Sequence, residues 1–300
     1  MSTVAMLAAA AFMQQPAQAA PQDPPPVALE DVVVEARRLE ELTREFVDEV
    51  SAPARRRGLA RWRSGVCVGV TGIRQDIAQA LADHVSRVAL EYGLRPGDPG
   101  CTANVLIVFA EDGRALADEM VERRRRVFRL GVGGLDRGNV ALADFRESDR
   151  PVRWWHVSVP INAETGTIAI RMPGDDPDKV PRVKNEGLVN RGRLIRDELN
   201  KVIIVVDGTQ VAGVGLPQLG DYLSMVALAQ VDPEGETSGF ATILNLFDDP
   251  DGSPGLTGWD RAYLEGLYSN WPWRVRANDQ TFQVLRNLRE ARRADGGGVL

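Results

Sequence analysis

Lysine is nearly missing from this chain: Lys179, Lys184 and Lys201 are the only three, so its basic charge is almost all arginine. That bias reflects genome composition rather than function. Acidic residues outnumber basic ones, 42 to 36, for a net charge of −6. A general nucleic-acid binder, whose affinity comes from neutralising phosphates, is excluded on that balance. Histidine is scarcer still, with His84 and His156 the only two. A common zinc hydrolase needs two histidines one helical turn apart and a glutamate beside the first. Two histidines so far apart in sequence cannot form that motif. No G-x-S-x-G is present, so the serine-hydrolase elbow is absent. No P-loop occurs, and the flexible loop Gly131–Gly138 (GVGGLDRG) fails the dinucleotide pattern at its last glycine.

What is present is ordinary for a globular protein: 300 residues, 44% hydrophobic and 26% charged. Length allows one large domain or two small ones with a sizeable core. The first twenty residues read as a secretory signal. Val4–Met13 (VAMLAAAAFM) is an apolar core too short to span a bilayer, and small residues at Ala17, Ala19 and Ala20 suit cleavage. Met1–Thr3 carries no basic residue. Residues 21–30 form a Pro-rich spacer, stiff through Pro21–Pro26. The expected location is periplasmic or extracellular, with no membrane span in the mature chain. In that oxidising compartment Cys67 and Cys101, each beside a predicted strand, are expected to form a disulfide, with two buried thiols as the alternative.

A single globular α+β domain is expected over 31–295, with a mixed sheet packed by helices. Its N-terminal half is a strand–helix–strand unit over 55–130, and its C-terminal half covers 150–295. Glu30–Arg38 (EDVVVEARR) is a short β-branched run that resembles the box by which outer-membrane receptors engage the TonB energy transducer. An edge strand or the approach to a helix is the commoner meaning. Leu39, Leu42, Phe46, Val47 and Val50 recur at helical spacing. Val66–Val70 and Asn104–Ala110 are buried strands, joined through a helix over Asp76–Tyr92, which favours a right-handed parallel crossover. Ala115–Phe128 is a second helix, ending in Arg123–Arg126. Val152–Val159 and Thr167–Met172 read as strands, turning at Asn162–Gly166. Pro173–Asn185 is a polar loop. Asp207-Gly208 between Lys201–Val206 and Thr209–Val214 signals a type I′ hairpin. Leu219–Gln230 is a buried helix. Thr257 caps a later helix with Asp260 three residues on, and a last helix starts near Asp279.

The last third also carries a resemblance. Ile243–Asp249 (ILNLFDD) and the run Leu256-Thr257-Gly258-Trp259-Asp260 through Leu264, Leu267 and Tyr268 are similar to two conserved segments of a bacterial family described as secreted zincin-type metalloproteases. The order there is strand, metal-binding helix, short segment, helix. The resemblance covers Lys201–Tyr268, is weak over Arg55–Phe128 and is absent elsewhere. The whole chain also resembles a set of secreted proteobacterial proteins of no assigned activity. The resemblance implies a zincin-like core and places the metal-ligand positions near Tyr222, Leu223 and Val226, none of which binds zinc. Asp221 is the one oxygen ligand nearby.

Other groups are weaker candidates. His84 lies on the apolar face of its helix, where a hydrogen-bonded core histidine is expected. Strand alternation puts Trp154 and His156 on one face and Trp155 on the other. With Asp221 and Tyr222 they make the candidate ligand groove, against the plainer reading of core packing. Asp248, Asp249 and Asp251 fail the EF-hand spacing and read as a turn. Trp271-Pro272-Trp273 is a rigid aromatic loop, a lid or a partner contact. The sequence thus points to an exported, non-catalytic binding or structural protein on a degenerate metalloprotease-like scaffold. It would have no catalytic residue, metal or cofactor, and its partner would be a protein or cell-envelope component. The alternatives are a cell-envelope or peptide hydrolase with ligands assembled from His156, Asp221 and other carboxylates, and a TonB-associated periplasmic accessory.

Overall fold

Residues 202–206 (VIIVV) alternate between two buried layers, because the strand that carries them lies inside a sheet covered on both faces. The computed structural model describes residues 29–53, 57–63, 65–128, 138–162, 165–169 and 195–268, with 286, 287 and 290. The signal segment, Pro21–Pro26, Trp271, Trp273 and most of the helix expected from Asp279 lie outside the described residues. The chain divides into two compact units, Met1–Arg38 and Leu39–Leu300. Of the first, only helical backbone from residue 29 onward is described.

Helix α1 spans Leu29–Val50, so Glu30–Arg38 is helical and not an edge strand. The expected spacer accordingly ends before Leu29. From Leu39 the helix buries Leu39, Phe46, Val47 and Val50, the stripe that the spacing predicts. Strand β1 (Val68–Thr71), helix α2 (Gln75–Glu91) and strand β2 (Val105–Ala110) form the expected parallel crossover. Helices α3 (Gly113–Arg124) and α4 (Gly138–Glu147) follow. Then come strands β3 (Val152–Asn162) and β4 (Ile195–Asp207). Helix α5 (Leu216–Leu228), a 3-10 turn at Ile243–Asn245 and helix α6 (Gly258–Tyr268) complete the described elements. The sheet order is β1-β2-β4-β3, with β2 parallel to β4 and β3 antiparallel at the edge. The fold is thus mixed α+β. No described helix is long and apolar enough to cross a membrane.

Strand alternation assigns the two layers. Val202, Ile204 and Val206 share a core with α1, α2, α5 and α6. Ile203 and Val205 face a second cluster with Trp155, Phe128, Phe145, Ala117 and Val121. Trp154 and Trp155 do point to opposite faces, as expected. Helix α4 is absent from the sequence reading, because its ten residues bury only Phe145 and carry little apolar periodicity.

The hairpin expected at Asp207-Gly208 does not form. A hairpin partner would need a free edge of β4, and both edges are taken, by β2 and β3. Asp207 instead turns the chain. Its Oδ1 accepts from the backbone N–H of Thr209 and Gln210 and from the Thr209 hydroxyl, at 3.1, 3.2 and 2.6 Å. Its Oδ2 accepts from Gly113 N–H at 2.9 Å, which docks the start of α3. These donors outweigh the burial that would raise the carboxyl, and hold it below the ordinary range. Of the strand expected at Thr167–Met172, the described part makes one bridge, Ile168 to Ile161.

The capping of α6 follows the sequence. Thr257 Oγ1 accepts from Asp260 N–H at 3.3 Å, and Asp260 accepts from Thr257 N–H at 2.9 Å. Asp260 is fully buried, and it also accepts from the Thr242 hydroxyl at 2.5 Å and Ile243 N–H at 2.8 Å. One carboxylate therefore ties the 3-10 turn to α6.

Cys67 and Cys101 form the expected disulfide, with Cα atoms 6.1 Å apart and a sequence separation of 34. It closes the loop that holds β1 and α2. In the chain-entropy account such a loop is worth about 3–4 kcal/mol. The paired change Cys67→Ser, Cys101→Ser is expected to lower the urea-unfolding free energy by that amount, with an unreduced wild type as reference.

Candidate functional site

Helix α5 is the element on which the sequence candidates converge. Pro217 sits in its first turn, where a missing N–H costs no helical bond. From Leu219 to Leu228 every residue except Asp221 is buried. A helix apolar on all sides has to be enclosed on all sides, and enclosure creates a polar problem at its end. The last four carbonyls of a helix have no intrahelical partner, and here no water reaches them.

Three of these carbonyls take side-chain donors, and Met225 O, one residue before them, keeps the last helical bond. Met225 O accepts from Ala229 N–H at 3.0 Å. Val226 O is bonded by His156 Nε2 at 2.8 Å, Ala227 O by Trp62 Nε1 at 2.8 Å and Leu228 O by the Tyr268 hydroxyl at 2.5 Å. Because a carbonyl only accepts, His156 carries its proton on Nε2. Trp154 Nε1 donates to Val231 O at 2.9 Å, just beyond the helix. Tyr268 oxygen also accepts from Trp62 N–H at 3.3 Å. Burial pushes the Tyr268 phenol above its ordinary value, so it stays a neutral donor.

The four residues of the expected groove divide accordingly. Trp154 and Tyr222 are in contact, with ring centroids 6.3 Å apart, and Tyr222 also meets Phe247 at 4.9 Å. Burial raises the Tyr222 phenol above its usual value. His156, 1% exposed, sits one helical turn further along, under Val226. Asp221 turns to another flank, toward α2. The structure therefore brings Trp154, Tyr222 and His156 to one layer and leaves Asp221 out of it.

Asp221 meets His84 instead, a pairing that sequence reasoning missed. Oδ1 lies 2.6 Å from His84 Nε2, and His84 Nδ1 lies 2.8 Å from Arg87 Nη2. Arginine can only donate, so Nδ1 accepts and Nε2 carries the proton to Asp221. Oδ2 accepts from Leu256 N–H at 2.9 Å. Burial alone would raise the Asp221 carboxyl, but these bonds hold it below the ordinary range. The cluster links α2, α5 and the approach to α6. Both side chains are partly covered, at 16% and 19% exposure, so solvent retains some access. Gly220 makes the approach feasible: a Cβ there would lie 2.7 Å from the His84 ring. The helical spacing of His84 with Arg87 was readable in sequence. Its partner on α5 was not, since nothing local marks a contact across 137 residues. Among the described residues, no group of three or more His, Cys, Asp or Glu side chains is placed to hold a metal ion. The turn residues Asp248, Asp249 and Asp251 behave as a turn: Asp249 accepts from Gly252 N–H at 3.0 Å.

Two outcomes follow for stability. Tyr268→Phe leaves a buried carbonyl unpaired with little change in volume and is expected to cost about 1–3 kcal/mol in urea unfolding; Trp62→Phe does the same at Ala227 O and is expected to cost more, since it also leaves a cavity. Asp221 is depressed in the folded state, so its contribution is complete above its unfolded value of about 4 and fades as pH falls through the folded one. The stability gap between wild type and Asp221→Asn is therefore expected to be full at about pH 6 and to narrow as pH falls below the unfolded value of about 4. A gap that is constant with pH would contradict this. No protein-family model, no curated protein and no solved structure matches the chain.

Proposed function

We propose that this is an exported protein that binds or scaffolds rather than cleaves, built on a metalloprotease-like core. The observation that carries the reading is the packing at the three positions where the resembling family places its metal ligands. Tyr222 is wedged between Trp154 and Phe247, and Leu223 and Val226 are wholly buried. Apolar side chains enclosed in this way fill the space that a metal and its water would need. The order β4, α5, 3-10 turn, α6 is also that of the family segments, which supports the scaffold part of the reading. The Cys67–Cys101 disulfide supports export, because such bonds persist in oxidising compartments.

The hydrolase alternative gathers less support. It needs His156 and Asp221 in one constellation. His156 Nε2 is bonded to the Val226 carbonyl, while Asp221 holds His84 and the Leu256 amide. The test is the metal content of protein exported to the periplasm, with its disulfide intact and never exposed to chelator. Zinc is expected well below one per chain, with an unfolding midpoint unchanged by EDTA. A stoichiometry of about one zinc per chain, with a midpoint that falls on chelation, would overturn the proposal.

A further inference from the structure

Arg153 is a buried charge that its described neighbours match only in part: burial disfavours the guanidinium more than Asp207, Asp112 and Asp149, acting from a distance, support it. It lies on β3 opposite Val205, on the sheet face covered by α3 and α4, away from α5. It is 2% exposed and among the largest fully buried side chains. Among the described residues its one hydrogen bond runs from Nη2 to the Arg150 carbonyl, at 3.3 Å. Nε and Nη1 are buried and have no hydrogen-bond partner among those residues. Those two atoms carry three of the five guanidinium donors. Among the described residues, no carboxylate lies within 4.0 Å of it. The oxygens of Asp207, the buried acid on the same face, already take four donors. Asp112 and Asp149 are exposed. Ser148 Oγ, in the turn that leads from α4 into β3, is a further buried atom without a hydrogen-bond partner among the described residues.

A buried guanidinium with most donors idle is costly, and cores do not retain one without compensation. A neutral water would satisfy donors but leave the charge. A peptide or nucleotide could not reach so enclosed a group. We propose that Arg153 anchors an internal site for a small monovalent anion of the size and charge of chloride. The anion accepts from the guanidinium, and occupancy ties β3 to the layer formed by α3 and α4. The site is independent of α5 and of the function proposed above.

The test is thermal unfolding of the full chain, disulfide intact, with chloride exchanged for gluconate at constant ionic strength. Gluconate is too bulky for an enclosed site. The wild-type midpoint is expected to rise with chloride and to saturate, by about 3–5 °C at ten times the dissociation constant. Arg153→Met is expected to show no chloride response and, in gluconate, to be at least as stable as wild type, since it removes a buried charge that is matched only in part. A wild-type midpoint equal in both salts would overturn the proposal, as would an undiminished chloride response in the variant. Should the variant not fold, bromide soaked into wild-type crystals decides: an anomalous peak beside Arg153 is expected, and its absence overturns the site.

Discussion

The C-terminal carbonyls of α5 are the constraint around which this protein is arranged. The helix has no polar face apart from Asp221, so it must be enclosed, and its end is enclosed with it. Unpaired carbonyls in that position would each cost more than a typical hydrogen bond returns. Three segments converge to supply the donors: Trp62 from the approach to β1, His156 from the edge strand β3 and Tyr268 from the end of α6. Each of these side chains joins a large apolar body to one polar tip, which suits a place that is dry and yet needs a donor. The bonds thus set both how α6 and the N-terminal segment approach the helix and how close β3 lies beneath it.

Single carboxylates do the equivalent work elsewhere. Asp260 gathers the 3-10 turn and the start of α6, and Asp207 ends β4 while docking α3. Asp221 joins α2 to α5 and to Leu256. In each case backbone N–H groups supply part of the coordination; at Asp207 and Asp221 the donors hold the charge, whereas at Asp260 burial outweighs them and raises the carboxyl. A buried acid satisfied in this way stiffens a junction between segments that would otherwise meet only through non-directional packing.

These contacts also bear on function. The side chains around α5 fill its surroundings with apolar and aromatic groups. His156, which in isolation reads as a candidate ligand, is committed to a helix carbonyl. The Trp154–Tyr222–Phe247 stack closes the same region with aromatic area. The opposite face of the sheet has the reverse character: an apolar layer with one buried guanidinium whose donors exceed the acceptors that the described residues provide.

Much of this was legible from local chemistry. Periodicity located the stripe of α1 from Leu39, the α2 crossover, the buried strands and α5. Thr257 with Asp260 announced the cap of α6, and strand alternation separated Trp154 from Trp155. These features depend on residues a few positions apart, so the amino-acid sequence determined them by itself. Tertiary structure decided the rest. Asp207-Gly208 has the chemistry of a hairpin, but β4 became an interior strand with no edge to offer. Residues 32–34 are β-branched yet stand in a helix, where the run that continues through Val50 prevails over local propensity. The roles of Trp62, His84, His156 and Tyr268 are settled by partners far away in sequence. A donor's chemistry is visible in sequence, but its acceptor is named only when packing removes water from both.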